Sequence, residues 1–318
     1  MKKAAVIGGI TTDIEGYPDA MLVYADSNPG KIAMSYGGVG RNIVENLARM
    51  GAQVGFVSAA GEDFPGRAAV RELSDLGVDV NHVQLIPGEN TAVYMSILNM
   101  VGDMELAMCN MDILERIDLE FIRQAAPLFA ESSVIGLDTN LTEETLDQVT
   151  TLLAGTPLFL DPVSTNKAQR AARIIGRFHT IKPNRMEAEV LTGRTITSPA
   201  DLNWAGDWFL DQGVKQVLIT LGPAGVYYQD QNRRGVMNRE LVRSSGTSGL
   251  VSATGAGDAF SAAILYGILA DMSLQDIVRT GLAASSIAME SRQAVNPLMS
   301  GQLLHERVEG SIYNEKEA

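Results

Sequence analysis

The densest chemistry in this chain lies near its C-terminal end, in Ser252-Ala253-Thr254-Gly255-Ala256-Gly257-Asp258-Ala259-Phe260, followed at once by an apolar helical run over 262–270. Glycines at 255 and 257 permit a tight turn whose amides point into one concavity, and the positive end of the following helix adds to it. Phosphate charge developing there would be stabilised. Asp258 runs against that design, because a carboxylate at an anion site repels the ligand. The conflict resolves if Asp258 accepts a proton from a hydroxyl that attacks a phosphoryl group. The plain structural alternative is an Asp in the first turn of a glycine-started helix.

Three further groups carry weaker signals. Gly37-Gly38-Val39-Gly40-Arg41-Asn42 precedes an amphipathic helix, and it matches neither G-x-G-x-x-G nor the Walker pattern. Its glycines could let a ligand approach the backbone, with Asn42 bonding hydroxyls; a tight turn into a helix explains them equally well. Asp13, after the first strand, could grip neighbouring sugar hydroxyls or merely form a turn. In Lys182-Pro183-Asn184-Arg185-Met186-Glu187, Asn184 and Glu187 stand at capping-box spacing. The same pair could face nucleotide phosphates and hold hydrated magnesium, which keeps several waters and needs few protein ligands. Thr220-Leu221-Gly222 ends a buried strand and would set a hydroxyl and a close backbone beside a phosphate.

These residues need a frame. Strand patterns at 6–10, 54–58, 134–137, 158–160, 179–181 and 217–220 alternate with helix patterns at 41–50, 65–76, 119–129, 142–153, 166–175 and 199–212. That alternation predicts a mostly parallel sheet with helices on both faces, an α/β/α fold. Asp13, Asp138, Asp161 and Thr220 would project at the carboxyl ends of its strands, where such sheets bind ligands. Segments 14–36 and 91–109 break the pattern with hairpin punctuation at Asn28-Pro29-Gly30 and Val101-Gly102-Asp103. They are expected to form a small antiparallel sheet, acting as an active-site lid or a dimer contact. The polar tail after Arg307 is expected to fray.

Composition narrows the partners. The 318 residues, 46% hydrophobic, can bury one large core, so residues 1–318 are read as a single domain carrying the lid. A net charge of -13 with no basic stripe argues against nucleic acid. The single Cys109 excludes an intrachain disulfide, and His82, His179 and His305 are too scattered to suggest zinc. The apolar stretch 4–10 is too short for a membrane span and reads as a strand rather than a signal peptide. A cytoplasmic protein is expected, with no membrane partner.

The order of these motifs, with the glycine pair and Asn early, Asn-x-x-Glu in the middle, Thr-x-Gly next and Thr-Gly-Ala-Gly-Asp late, resembles the ribokinase-like sugar and nucleoside kinases of the PfkB family over about residues 3 to 300. The resemblance implies a ribokinase-like central sheet with a β lid, ATP with magnesium as donor, and transfer to a primary hydroxyl. It implies Asp258 as catalytic base and the backbone of Gly255, Ala256 and Gly257 through Asp258 as anion hole. It also implies Asp13, Gly38 and Asn42 on sugar hydroxyls, with Asn184, Thr220, Gly222, Thr254 and Gly257 around ATP and Glu187 toward magnesium through water. Many relatives have Asp where this chain has Ser252, and that Asp helps ligate an activating potassium ion, so monovalent activation is left open.

The lid sequence Tyr24-Ala25-Asp26-Ser27-Asn28-Pro29-Gly30-Lys31-Ile32, with Pro87-Gly88-Glu89-Asn90-Thr91 and Asp161-Pro162-Val163-Ser164, is similar to the pseudouridine kinase subgroup. The acceptor would then be the 5'-hydroxyl of pseudouridine, with Lys31, Asn110 and Asn140 in or near the nucleoside pocket and Asn110 or Asp112 as candidates to read the base. Two alternatives stay open: a kinase of ribose, another nucleoside or another small sugar, and a non-catalytic sugar- or nucleoside-binding regulator. A homodimer through the lid is a further expectation.

Overall fold

The computed structural model describes residues 2–239 and 252–316. The chain opens with β1 (Lys3–Ile7), passes into β2 (Thr11–Pro18) and β3 (Gly30–Gly37), and returns through α1 (Val39–Arg49), β4 (Gln53–Gly61) and α2 (Phe64–Asp75). Next come β5 (Asp79–Ile86), β6 (Ala92–Leu98), β7 (Met104–Asn110), α3 (Leu119–Arg123), α4 (Ala126–Glu131) and β8 (Ser132–Asp138). Then follow α5 (Glu143–Leu152), β9 (Leu158–Asp161), α6 (Thr165–Ala168), β10 (Thr180–Ile181), α7 (Arg185–Thr192), α8 (Pro199–Gln212) and β11 (Gln216–Thr220). The last described elements are β12 (Val226–Gln229), β13 (Arg234–Arg239), α9 (Ala256–Leu269), α10 (Leu274–Ala288), α11 (Gly301–Glu309) and β14 (Tyr313–Lys316).

One sheet of ten strands runs in the order β14-β13-β12-β11-β10-β9-β8-β1-β4-β5. From β11 to β5 every neighbour is parallel, and β12, β13 and β14 add an antiparallel edge. The central parallel strands are buried and mostly apolar because helices cover both faces, whereas the edge strand β5 is only partly buried and carries Asp79, Asn81, His82 and Gln84. Two apolar layers result, one holding Leu137, Leu160, Ile181 and Phe209, the other Val6, Phe56, Phe159 and the inner faces of α9 and α10. This is the expected mostly parallel sheet with helices around it.

The second sheet, in the order β3-β2-β6-β7, corrects the expectation in two ways. It is mixed rather than antiparallel, since β2 and β6 run parallel with Asp13 opposite Tyr94. It also begins earlier, at Thr11, because β1 stops at Ile7 and Gly8-Gly9 carry the chain straight on. The connection after β2 is a loop over 19–29 rather than a tight turn at Asn28-Pro29-Gly30, whereas Gly102 does turn tightly, with φ of 89°.

Other boundaries moved for local reasons. The helix expected over 119–129 splits at Gln124-Ala125, because Pro127 has no amide to donate to the Arg123 carbonyl one turn back and fits instead in the first turn of α4, where no such donor is needed. The helix expected over 166–175 is one turn of α6 followed by a 3-10 helix, Gln169–Arg177. As far as Lys316 the tail does not fray: β14 pairs with β13 and covers the sheet edge, and Gln275 donates to Glu315 at 2.7 Å. No helix among the described residues is long and apolar enough to cross a membrane.

Candidate active site

α9 starts where the chain cannot carry a side chain. Gly255 adopts a left-handed φ of 76°, and a Cβ there would collide with the Ala294 carbonyl. No side chain caps this helix, and the amide of Ala256 turns back to the Ala253 carbonyl at 3.3 Å. The amides of Gly257 and Asp258 take no backbone partner among the described residues. The cradle therefore offers two open donors at the positive end of a helix of 14 residues. Ahead of it, Thr254 donates its amide to Ser252 Oγ at 3.1 Å.

Asp258 lies in the first turn of this helix. Its Oδ2 accepts from Asn42 Nδ2 at 2.8 Å, so α1 and α9 meet at the carboxylate. Burial pushes the Asp258 carboxyl up to about 7, and the charge of Asp161 pushes the same way; the Asn42 bond and the Lys182 cation pull it down, while Asp138 adds a smaller upward push. A carboxyl poised near neutrality can take up a proton during a reaction at physiological pH.

Asp161, at the end of β9, is 4% exposed and pairs with Lys182 Nζ at 3.2 Å, while Ser261 Oγ donates to its Oδ2 at 2.6 Å. Burial alone would lower the Lys182 ammonium, but Asp161, Glu187 and Asp258 hold it above the ordinary lysine value. Neither Lys182 nor Ser261 was singled out from the sequence. The helical spacing Asp258 to Ser261, three residues on, was the available signal.

The expected nucleotide residues are brought close to this centre. Asn184 caps α7 and forms the full capping box: its Oδ1 accepts from the Glu187 amide at 2.9 Å, and Glu187 Oε2 accepts from the Asn184 amide at 2.8 Å. Glu187 Oε1 also accepts from Asn184 Nδ2 at 2.7 Å. Asn184 bridges to Thr220 at the carboxyl end of β11, and Gly222 follows with φ of 59°. Burial raises the Glu187 carboxyl, as does the nearby Asp161 charge.

The expected sugar residues divide. Asp13 is half-buried on β2, accepts from Thr11 Oγ1 at 2.8 Å, and is raised mainly by burial. Gly37 and Gly38 do allow close backbone approach, but of the protein itself: a Cβ at 38, where φ is 98°, would collide with the Gly9 carbonyl, and one at 37 with Asp13. Asn42, expected on hydroxyls, spends its amide on Asp258. Lys31 is exposed on β3, and Asn110 is exposed with its Oδ1 accepting from the Asp112 amide at 3.1 Å, an Asx turn.

Asn140 is held by two residues that the sequence reading passed over. Lys167 Nζ donates to Asn140 Oδ1 at 2.6 Å, and Arg170 Nη1 clamps the carbonyls of Thr139, Asn140 and Leu141 at 3.0, 3.0 and 3.1 Å. Burial lowers the Lys167 ammonium, and Cys109 of β7 lies close enough to affect it. Val163, two residues past Asp161 at the end of β9, takes a φ of 63° that β-branched residues rarely adopt. Asp138 also does unforeseen work. Fully buried, it accepts from the amides of Gly9, Gly40 and Asn140 at 3.1, 2.9 and 2.8 Å.

A parallel sheet with a second sheet springing from the carboxyl end of β1, and an open helix N-terminus holding a carboxylate, describes a kinase that phosphorylates small hydroxyl compounds at the expense of ATP. The pfkB family carbohydrate kinase model matches residues 1–300, and the chain belongs to that family. It is 35% identical over 295 residues to a pseudouridine kinase of Escherichia coli (strain K12), covering 93% of each chain. A guanosine-inosine kinase of Exiguobacterium acetylicum is 25% identical, with 92% of this chain and 96% of that one covered. The solved structure of a carbohydrate kinase from Agrobacterium tumefaciens superimposes with a TM-score of 0.83 at 24% identity, covering 99% and 100% of the two chains.

Proposed function

We propose that this kinase transfers the γ-phosphoryl group of ATP to the 5'-hydroxyl of pseudouridine, giving pseudouridine 5'-phosphate and ADP. The observation that carries the reading is Asp258 itself, near neutrality in its proton affinity and set beside two open amides. The 5'-hydroxyl attacks phosphorus in line while Asp258 accepts its proton; the bond from phosphorus to the bridging oxygen breaks, and ADP leaves with the electron pair. The amides of Gly257 and Asp258 take up the charge that develops on the transferring group. Gly255 and Ala256 act by shaping the turn.

The residues fit hydrated magnesium better than a protein cage. No group of three or more His, Cys, Asp or Glu side chains able to hold a metal occurs among the described residues, and both oxygens of Glu187 are already bonded to Asn184. Glu187 can still accept from a metal-bound water, while Asn184, Thr220, Gly222 and Thr254 border the nucleotide phosphates. Magnesium, when bound with ATP, supplies charge neutralisation on the phosphates. A monovalent ion near Ser252 is not part of the proposal.

The sheet β3-β2-β6-β7 acts as the lid that excludes water, and one domain carries it. Asp13 grips the ribose hydroxyls, with Gly38 and Asn42 shaping that end of the pocket. Lys31, Asn110, Asn140 and Lys167 surround the base. The Lys167 ammonium, held by Asn140, suits a uracil carbonyl. Pseudouridine presents N1–H where uridine has none, and a site that pairs such a donor can reject the analogue by about 10⁴- to 10⁵-fold. The similar Escherichia coli enzyme supports this acceptor. A cytoplasmic setting, where ATP is available, completes the proposal.

ADP release with ATP and magnesium, measured side by side on pseudouridine, uridine, adenosine and ribose, tests it. Selective turnover of pseudouridine is expected, and preference for another acceptor would remove the substrate assignment while keeping the kinase. Asp258→Asn should lose about 10²- to 10⁴-fold in turnover and keep ATP binding.

A further inference from the structure

Beneath the anion cradle lies a fixed ion pair that the phosphoryl-transfer reading does not use. Lys182 Nζ stands 3.6 Å from the point where a Cβ of Gly257 would lie, directly against the turn that carries the open amides. Its side chain is 7% exposed, and that of its partner Asp161 is 5% exposed. Ser261, one helical turn beyond Asp258 on the same helix, bonds Asp161 at 2.6 Å and fixes which way the pair points. A buried ion pair gains little stability over a neutral pair of equal volume, so its retention at this place calls for another reason.

We propose that the Asp161–Lys182 pair, oriented by Ser261, is a positioning device that sets the proton affinity of Asp258. This rests on the reading of Asp258 as the base. The two charges act on Asp258 in opposite senses. Asp161 favours its protonated form and Lys182 its ionised form, so their balance fixes the pH at which the base becomes available. Asp138, fully buried at the end of β8, and Asn42 on α1 are the other groups facing the carboxylate. Asp138 acts in the same sense as Asp161, and Asn42 in the same sense as Lys182. Glu187 on α7 faces Lys182 and holds it charged.

Nuclear magnetic resonance of carboxyl-labelled aspartate in the ligand-free protein, assigned with Asp258→Asn, reads the titration of Asp258 directly. Lys182→Met is expected to move the midpoint up and Asp161→Asn to move it down, each by on the order of one pH unit. Combining both changes should bring it back near the wild-type value. The acid limb of kcat/KM should follow, so that Lys182→Met loses about tenfold at a pH one unit below the wild-type midpoint. A purely structural role would move stability and leave the midpoints alone or shift them together, and either result overturns the proposal. Should Lys182→Met fail to fold, the isosteric Asp161→Asn decides alone, since a midpoint that does not fall overturns it. Wild-type turnover in Asp258→Asn would remove the base reading instead, a separate failure that the ligand-free titration leaves distinguishable.

Discussion

As the proposed base, Asp258 would carry opposite obligations toward catalysis and toward the fold, and the conflict is measurable. Its folded carboxyl titrates at about 7, against the ordinary 3.8, so the stability associated with its protonated form is present below pH 4 and is lost as pH rises through 7. Asp258→Asn copies the protonated form. In calorimetric scans of the ligand-free protein from pH 4 to 9, that variant should outlast the wild type by a few degrees, about 3 to 6 °C, above pH 7, with the gap closing toward pH 4. A gap independent of pH would mean that the carboxylate is not strained by its surroundings. Turnover should rise over the same interval in which stability falls. At this scale the sequence was readable where residue type and chain neighbours suffice. Gly255, Gly257 and Asp258 announced a tight turn with an acid in the helix that follows, and the structure has that turn with two amides left open. Asn42 was expected on hydroxyls because its bond to Asp258 spans 216 positions of chain, and nothing in its neighbours set Lys182 apart.

Among elements, the second sheet presents two faces of different character. The register sets Met34, Ile14, Met95 and Met108 in one row and Ile32, Gly16, Ile97 and Leu106 in the next, on the face opposite Asp13. Met34, Ile32, Leu106 and Met108 are 53, 79, 57 and 65% exposed. Contiguous exposed apolar surface of this kind marks a contact. The homodimer proposed through the lid would cover it with a second copy of the same face, as two-fold symmetry requires. Leu106→Glu combined with Met108→Glu should give a monomer by sedimentation at concentrations where the wild type is a dimer; a wild-type monomer would end that proposal. The parallel pairing of β2 with β6 was invisible in the sequence, because each strand shows its hairpin partner but not which hairpin edges meet. The alternation of strands and helices was legible because buried parallel strands must be apolar throughout, and the misjudged helix at 119–129 failed on one proline.

The whole molecule closes its main sheet with its own end. β14 lies beside β13, tied to the body by Gln275 on Glu315 and by Tyr313 on the Arg279 carbonyl at 3.3 Å. A chain ending at Gly310 should leave the edge of β13 open, lower the melting temperature by about 5 °C and aggregate on heating. Unchanged melting would show that the strand contributes nothing. Polar composition concealed this element, since an edge strand needs few apolar residues and the tail reads as solvated. Asp138 has a wider consequence. The chain leaves β1 through Gly9 and returns from β3 through Gly40, and the same buried carboxylate accepts both amides. Thr91, just ahead of β6, is moored likewise to Asp63, by its amide at 2.8 Å and its hydroxyl at 2.6 Å. The roots of the second sheet, the proposed lid, are thus held mainly through main-chain amides, with the Thr91 hydroxyl as the one side-chain donor, whatever side chains the sheet bears farther out. If that sheet is the lid proposed here, its acceptor-facing surface could be rewritten, by selection or by an engineer, and fitted to a new acceptor without loosening its attachment to the main sheet.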